Sequence, residues 1–281
     1  MVSREAWNDG GMCGRYSSTK APADLADEFK AVDATEDEGT PDFNVAPTKQ
    51  VTTVVERHPR DDDGEPIRDE TQRTLRRVKW GLVPSWSKDA SGGARMINAR
   101  SETAADKPAF RRALASRRCI LPADGWYEWQ RRDTDTGKTK QPYFTCYQDG
   151  SSIAMAGIWE YWKPKDAALL EEYPDGLVTV AVLTTEAVGD LADIHDRMPL
   201  VLDPADWDAW LNPDADAKDA SVARLLAPPS ATLVDRMELR PVSNRVNNVR
   251  NNGPELLEAL RPEDVDEALQ LDLLNSGRNP E

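Results

Sequence analysis

The 281-residue sequence is poor in cysteine and histidine, with three of the former and two of the latter. Cys13, Cys119 and Cys146 are odd in number and lack C-x-x-C spacing, which excludes a paired disulfide framework and a zinc-ribbon type of site. A reducing cytoplasm is the expected compartment. No apolar run approaches the roughly 18 residues that a membrane span needs. The first residues, with Arg4, Glu5 and Asp9, lack the apolar core of a secretory signal. No internal repeat and no Gly/Ser linker divides the chain, so a single domain is expected. Positive charge is scarce as well: 35 Lys and Arg against 50 Asp and Glu leave a net charge of −15. That argues against an ordinary nucleic-acid binder, because phosphate affinity rests on Lys and Arg.

The distribution of charge qualifies its sum. Acid is concentrated in Asp61-Asp62-Asp63, in Glu171-Glu172, over 203–219 and in the tail from Glu263, whereas arginine recurs inside apolar and aromatic segments, as at Arg15, Arg100, Arg117, Arg118, Arg197 and Arg245. A local basic surface is therefore compatible with a negative total. Little lysine with much aspartate is also the surface a salt-rich cytoplasm favours, so a halophilic source is expected.

The pattern along the chain predicts many short strands and few helices. Pro22 to Lys30, with a first-turn proline and apolar Leu25, Ala26 and Phe29, reads as a helix. Further helices are expected over Pro108 to Ser116, over Asp203 to Leu211, where an Asp cap precedes a proline, and from Pro254. Asn44 to Val55 reads as loop into strand, and Leu75 to Trp86 as an alternating apolar run. Cys119 to Leu121, Gly125 to Arg131, Pro142 to Tyr147, Ile153 to Trp162, Leu177 to Thr184 and Thr232 to Val242 read as strands. Arg57 to Gln72, Ser87 to Gly93 and Asp133 to Lys140 read as loops, and Asp166 to Gly176 as an acidic insertion. The expected class is α+β: one domain on a curved, mostly antiparallel sheet or open barrel, with a few peripheral helices.

Four features carry candidate chemistry. If translation began at Met12, Cys13 would be the mature first residue, pairing a thiol with an α-amine of pKa roughly 8; otherwise it reads as a small buried hydrophobe. Asn98 and Arg100 would share one face of a strand, or be a turn amide and a surface arginine. Glu128, between aromatics in Gly125-Trp126-Tyr127-Glu128-Trp129, would lose hydration and gain a raised pKa suited to acid–base work, unless that strand position faces solvent. His195 is the good proton-transfer candidate, since His58 lies in a polar loop; its alternative is a capping histidine paired with Asp196. The Asn-rich stretch 244–252 suits phosphate contacts or a plain surface loop.

Seven runs, in order over about residues 12–260, carry a resemblance: Met12-Cys13-Gly14-Arg15-Tyr16, Asn44-Val45-Ala46-Pro47-Thr48, Trp80-Gly81-Leu82-Val83-Pro84, Ile97-Asn98-Ala99-Arg100-Ser101-Glu102-Thr103, Ala123-Asp124-Gly125-Trp126-Tyr127-Glu128-Trp129, Ile194-His195-Asp196-Arg197-Met198-Pro199 and Pro241-Val242-Ser243. Together they resemble the SRAP family of abasic-site processing proteins. The resemblance implies an SRAP-like catalytic domain over 12–260, an extension over 1–11 that is a mis-assigned start or a leader, and an acidic tail over 261–281. It implies that Cys13, at the mature N-terminus, attacks the ring-opened aldehyde of an abasic deoxyribose. A Schiff base then closes to a thiazolidine, a stable DNA–protein crosslink that protects the lesion in the damage response.

In that scheme Asn98 orients the amine or the sugar hydroxyls, Glu128 moves protons, and His195 is a second acid or base near the sugar and 3′ phosphate. Arg15, Arg100 and Arg197 clamp phosphates. Asn44, Pro47 and Trp129 line the lesion pocket or wedge against bases. The implied partner is single-stranded DNA containing abasic sites, with no cofactor, no metal and no membrane, acting as a cytoplasmic, nucleoid-associated monomer with accompanying AP lyase and autopeptidase activity. Two other classes stay open: a cysteine-type N-terminal-nucleophile peptidase with His195 as base, and a non-covalent reader of modified DNA. The halophilic expectation is checked by unfolding in graded salt: loss of the folded signal below molar salt is expected, and stability unchanged in low salt refutes it.

Overall fold

The computed structural model describes residues 13–36, 39–134, 137–261 and 263–265; the extension over 1–11 and nearly all of the acidic tail lie outside them. β1 (Arg15–Ser18) leads into α1 (Pro22–Phe29). Pro22 fits the first turn because it lacks an N–H that the turn would leave unpaired. Leu25 and Phe29 fall one turn apart on the buried side, and Lys30 stops the helix in a left-handed conformation with φ 52°. There follow β2 (Val32–Asp33), β3 (Asp42–Val45), β4 (Gln50–Arg57), β5 (Gln72–Trp80) and β6 (Asn98–Arg100). β5 stops short of the apolar run that predicted it. Gly81 has φ 121°, and a Cβ there would lie 2.7 Å from the Gly93 carbonyl oxygen, so the backbone leaves the strand where only glycine fits. The expected loop over 87–93 contains the start of a 3-10 turn, Ser91–Arg95, packed on Gly81.

α2 (Arg111–Ser116) precedes the antiparallel run of β7 (Arg118–Ala123), β8 (Gly125–Thr134), β9 (Gly137–Tyr147) and β10 (Ile153–Trp162). The expected loop over 133–140 is mostly strand: the register begun at Gly125↔Cys146 runs on to Thr134↔Gly137. Each added pair extends an existing ladder, and Thr134 and Thr139 are β-branched. α3 (Ala167–Glu172), capped by the Asp166 side chain, and β11 (Leu177–Glu186) come next, then β12 (Arg197–Pro199). Asp203 caps a turn that runs into α4 (Trp207–Leu211), and α5 (Ala220–Ala223), α6 (Ala231–Val234) and β13 (Met237–Pro241) complete the order.

Two expectations are corrected near the C-terminal end. The strand expected over Thr232 to Val242 starts only at Met237, because Ser230 caps α6 by accepting from the Leu233 N–H at 3.3 Å. The helix expected from Pro254 is one 3-10 turn, Pro254–Leu256. Leu256 is fully buried, and the Leu260 N–H donates to the Pro241 carbonyl at 2.7 Å, so tertiary contacts take the chain away from the helical path.

One sheet has the order β13-β9-β8-β1-β3; the other runs β12-β11-β10-β7-β4-β5-β2, with β6 added beside β11. β11 also pairs with β5 in parallel, which curls the second sheet round until its strands meet. Tyr16, Trp80, Trp126, Val180 and Met198 share one core cluster; Leu25, Phe29, Leu75, Ile120 and Trp210 lie in another. Burial of each such side chain contributes about 1.5–3 kcal/mol. Arg118, only 5% exposed, donates to the carbonyls of Leu114, Ala115, Trp210, Asn212 and Ala215 at 2.7–3.0 Å. It ties α2 and α4 onto β7. Among the described residues no helix is long and apolar enough to cross a membrane.

A Cβ on Gly125 would lie 2.3 Å from the Thr145 carbonyl oxygen and 2.5 Å from the Phe144 ring. Gly125→Ala is therefore expected to destabilise the fold by about 2–3 kcal/mol, read as a lower urea midpoint; an unchanged midpoint would mean that β8 and β9 part freely at this pair.

Candidate functional site

The site is built where β1 meets β8. Their register, Arg15↔Tyr127 and Tyr16↔Trp126, brings the residue before Gly14 alongside Glu128. Side chains alternate along β8. Trp126 belongs to the cluster that holds Cys13 and Tyr16, while Tyr127 and Trp129 pack on the opposite side with Phe144 and Val242. Glu128 shares the parity of Trp126 and is only 5% exposed, so this position is buried and does not face solvent.

Cys13 is 4% exposed and has φ 39°, a left-handed conformation that a non-glycine residue rarely adopts. Its backbone N–H donates to Glu128 Oε2 at 3.0 Å, and its Sγ lies 3.4 Å from the same oxygen. The other oxygen, Oε1, accepts from the Trp129 N–H at 3.3 Å. Burial pushes the Glu128 carboxyl above the usual carboxylate range, against the pull of His195 and of its hydrogen bonds from Cys13 and Trp129. Burial, and after it the Glu128 charge, pushes the Cys13 thiol well above its ordinary value, with Arg197 pulling the other way. A carboxylate with a raised pKa is a stronger base than an ordinary one.

His195 stands just before β12. Its Nδ1 lies 3.0 Å from the Arg197 N–H and 2.9 Å from Asp196 Oδ1. The pairing with Asp196 read from the sequence is present, and the imidazole also lines an open cavity of about 470 Å³ with Trp129, Arg100, Arg131, Ile194 and Arg197. β6 runs parallel to β11, Asn98 opposite Val182 and Arg100 opposite Thr184. Asn98 and Arg100 thus share a strand face, with Ala99 buried between them. Ile97 packs against the cluster containing Cys13, and its Cδ1 would lie 4.0 Å from a Cβ built on Gly14, which sets the start of this strand near the Cys13–Gly14 backbone.

The remaining candidates divide into cavity wall and scaffold. Trp129 Nε1 donates to Asn247 Oδ1 at 2.8 Å, holding the ring at the wall. Arg15 Nη1 donates to Asn44 Oδ1 at 2.7 Å and to the Val246 carbonyl at 2.8 Å. Asn44 is fully buried and donates to the carbonyls of Val246, Asn248 and Asn251 at 3.1–3.2 Å. This pair organises the Asn-rich segment, and Pro47 is buried in the turn between β3 and β4. Arg197 is 9% exposed in its side chain, and its fork grips Glu102: Nη1 to Oε1 at 2.5 Å, Nη2 to Oε2 at 2.9 Å. Glu102 and Arg131 were not singled out from sequence. Glu102 sits within the Ile97–Thr103 run, but a pair separated by 95 positions leaves no local signal.

Comparison with known proteins agrees over this region. Residues 12–249 match the family described as SOS response associated peptidase (SRAP). The chain is 39% identical over 250 residues to the abasic site processing protein YoaM of Bacillus subtilis, covering 88% of this chain and 98% of that one. It is 32% identical over 251 residues to YedK of Escherichia coli, covering 88% and 99%, and 30% identical over 240 residues to HMCES of Gallus gallus, covering 77% and 66%; both are likewise named abasic site processing proteins. A crystal structure of a Bacteroides thetaiotaomicron protein superimposes with a TM-score of 0.70 at 22% identity, covering 89% of this chain and all of that one, which shows the shared fold.

The raised Glu128 pKa sets a pH dependence. The folded state holds this proton more tightly than the unfolded chain, so the stability it contributes is full below the ordinary carboxyl pKa and is lost as pH rises through the folded value. In the full chain, Glu128→Gln should match wild type in urea denaturation at pH 4 and be the more stable at pH 8. A variant less stable than wild type at pH 8 would contradict this.

Proposed function

The chain belongs to the SRAP family, and from that premise we propose that it processes abasic sites in single-stranded DNA by trapping their aldehyde on Cys13 as a thiazolidine crosslink. One observation carries the reading: the nitrogen and the sulfur of Cys13 both lie within reach of one oxygen of a buried glutamate, at 3.0 and 3.4 Å. A thiazolidine needs these two nucleophiles and one proton carrier. The reading requires Cys13 to become the first residue, since a peptide N–H cannot form an imine. The family match beginning at residue 12 supports a translation start at Met12, whose removal would leave Cys13 first.

The steps balance on the groups present. Glu128 accepts a proton from the Cys13 ammonium, and the amine adds to the aldehyde carbon. One N–H proton moves to the carbinolamine oxygen and the protonated carboxyl supplies the second, so the oxygen leaves as water and the nitrogen remains as a protonated imine. The thiol then adds to the imine carbon and gives its proton to the Glu128 carboxylate, leaving a neutral ring nitrogen. Aldehyde, ammonium and thiol become thiazolidine, water and one proton, held on Glu128. His195, on the cavity wall, supplies hydrogen bonding to the sugar or the 3′ phosphate; Asn98 orients the amine or the sugar hydroxyls; and Arg100, exposed beside it, binds phosphate. Trp129 offers a ring edge to a base. The rival peptidase reading needs a thiolate, which burial and Glu128 both oppose.

A denaturing gel with an abasic oligonucleotide tests this. A chain beginning at Cys13 is expected to form a crosslink that survives heat and detergent, while one retaining residues 2–12 forms none. Cys13→Ser leaves only an imine trapped by borohydride, and Glu128→Gln slows the reaction by about 10²–10⁴-fold. Once formed, the covalent product persists at molar salt, where retention of undamaged strands is lost through screening. Equal crosslinking by the extended chain, or by Cys13→Ser without reductant, would overturn the assignment.

A further inference from the structure

Glu102 lies just beyond β6, two residues after Arg100, and Arg197 opens β12. These strands flank the same end of β11: Thr184 pairs with Arg100 on one side and with Pro199 on the other. The Glu102–Arg197 pair therefore bridges across β11. Both carboxylate oxygens are engaged, and Arg197 Nη2 also donates to the Thr184 carbonyl at 2.7 Å. A planar fork held by three acceptors has one orientation, and it fixes the backbone of Arg197 with it. The Arg197 hydrogen bond also holds the Glu102 carboxyl below its usual range, so the bridge is ionic at neutral pH.

The consequence reaches His195 through the main chain. Its Nδ1 faces two partners that exclude each other, the Arg197 N–H at 3.0 Å and Asp196 Oδ1 at 2.9 Å. An N–H demands a lone pair on Nδ1, which leaves the ring proton on Nε2; a carboxylate demands a proton on Nδ1. Asp196 is 86% exposed and free to turn into water, whereas the Arg197 backbone is held. The other charged groups around the ring are Glu128 from β8, the Arg197 side chain, and Arg100 and Arg131 on the cavity wall.

We propose that Glu102 is a positioning residue of this site: it anchors Arg197, whose backbone N–H keeps the His195 proton on Nε2. The proposal deepens the crosslinking reading and rests on it for the role of His195. With Glu102 removed, the start of β12 loosens, Asp196 captures Nδ1, and Nε2 loses the proton that it presents.

Imidazole ¹⁵N NMR of the full chain reads the tautomer directly, with His195 assigned by difference against His58→Gln. Wild type is expected to show protonated Nε2, and Glu102→Ala a shift of population toward protonated Nδ1. In the crosslinking assay, with the chain beginning at Cys13, Glu102→Ala should slow the step at saturating DNA by about 10- to 100-fold and leave the half-saturating concentration unchanged. Glu102→Gln, which keeps one acceptor for the fork, should lie between wild type and Glu102→Ala in both readouts. A Glu102→Ala variant with wild-type ¹⁵N signals overturns the proposal, even if its melting temperature falls. So does one that binds undamaged strands more tightly at an unchanged rate, since the carboxylate would then be a competitor of phosphate. If wild type forms no crosslink, the function proposed above fails while the ¹⁵N comparison still decides the role of Glu102.

Discussion

The site depends on one constraint: a carboxylate kept out of water beside a thiol that is also kept out of water. Glu128 is buried because β8 alternates, and it shares the face of Trp126 that packs into the core with Cys13 and Tyr16. An isolated buried carboxylate is costly, and hydrogen bonds offset part of that cost. The donors here are the N–H and S–H of Cys13 and the N–H of Trp129. The groups that make the buried acid tolerable are thus the proposed nucleophiles, and stability is given up at the point where basicity is gained.

Much of the remaining architecture holds those groups in place. β1 is clamped between β3 and β8, and its first residue, Arg15, spends its guanidinium on Asn44 and the carbonyls of the segment that follows β13. That segment then positions Trp129 through Asn247. On the far side of the cavity, β6 and β12 are both registered on β11. The two halves of the site come from different sheets, which share the core cluster containing Cys13, Trp80 and Met198.

Electrostatics near the site are more sparing of free charge than the arginine pattern suggests. Arg197 is paired with Glu102, and Arg15 is bound to neutral acceptors. Arg100 is the exposed member of the three proposed phosphate clamps. In a chain of net charge −15, such a cavity favours an anion only weakly over distance. The proposed covalent step would then matter most for retention, because a bond does not weaken with ionic strength as phosphate contacts do.

The amino-acid sequence by itself determined the α+β class, the first helix, most strands and which side chains are proposed as the reactive groups. Period-two alternation, proline at a first turn and Glu128 between aromatics are local properties, legible without neighbours. Strand ends were misread where distant contacts decide: Gly81 turns because Gly93 lies against it, and the chain after Pro254 leaves the helical path because Leu256 is buried and Leu260 pairs with Pro241. The same limit applies to the site. Nothing local indicated that Arg15 would donate to Asn44, that Asn44 would hold the Asn-rich segment, that Pro47 would be buried, or that Glu102 would pair with Arg197. Those roles depend on which residues meet across 29 to 232 positions of chain, and only tertiary packing makes such residues neighbours. A side chain's type sets what it can donate or accept; the partner that uses it is chosen by the fold.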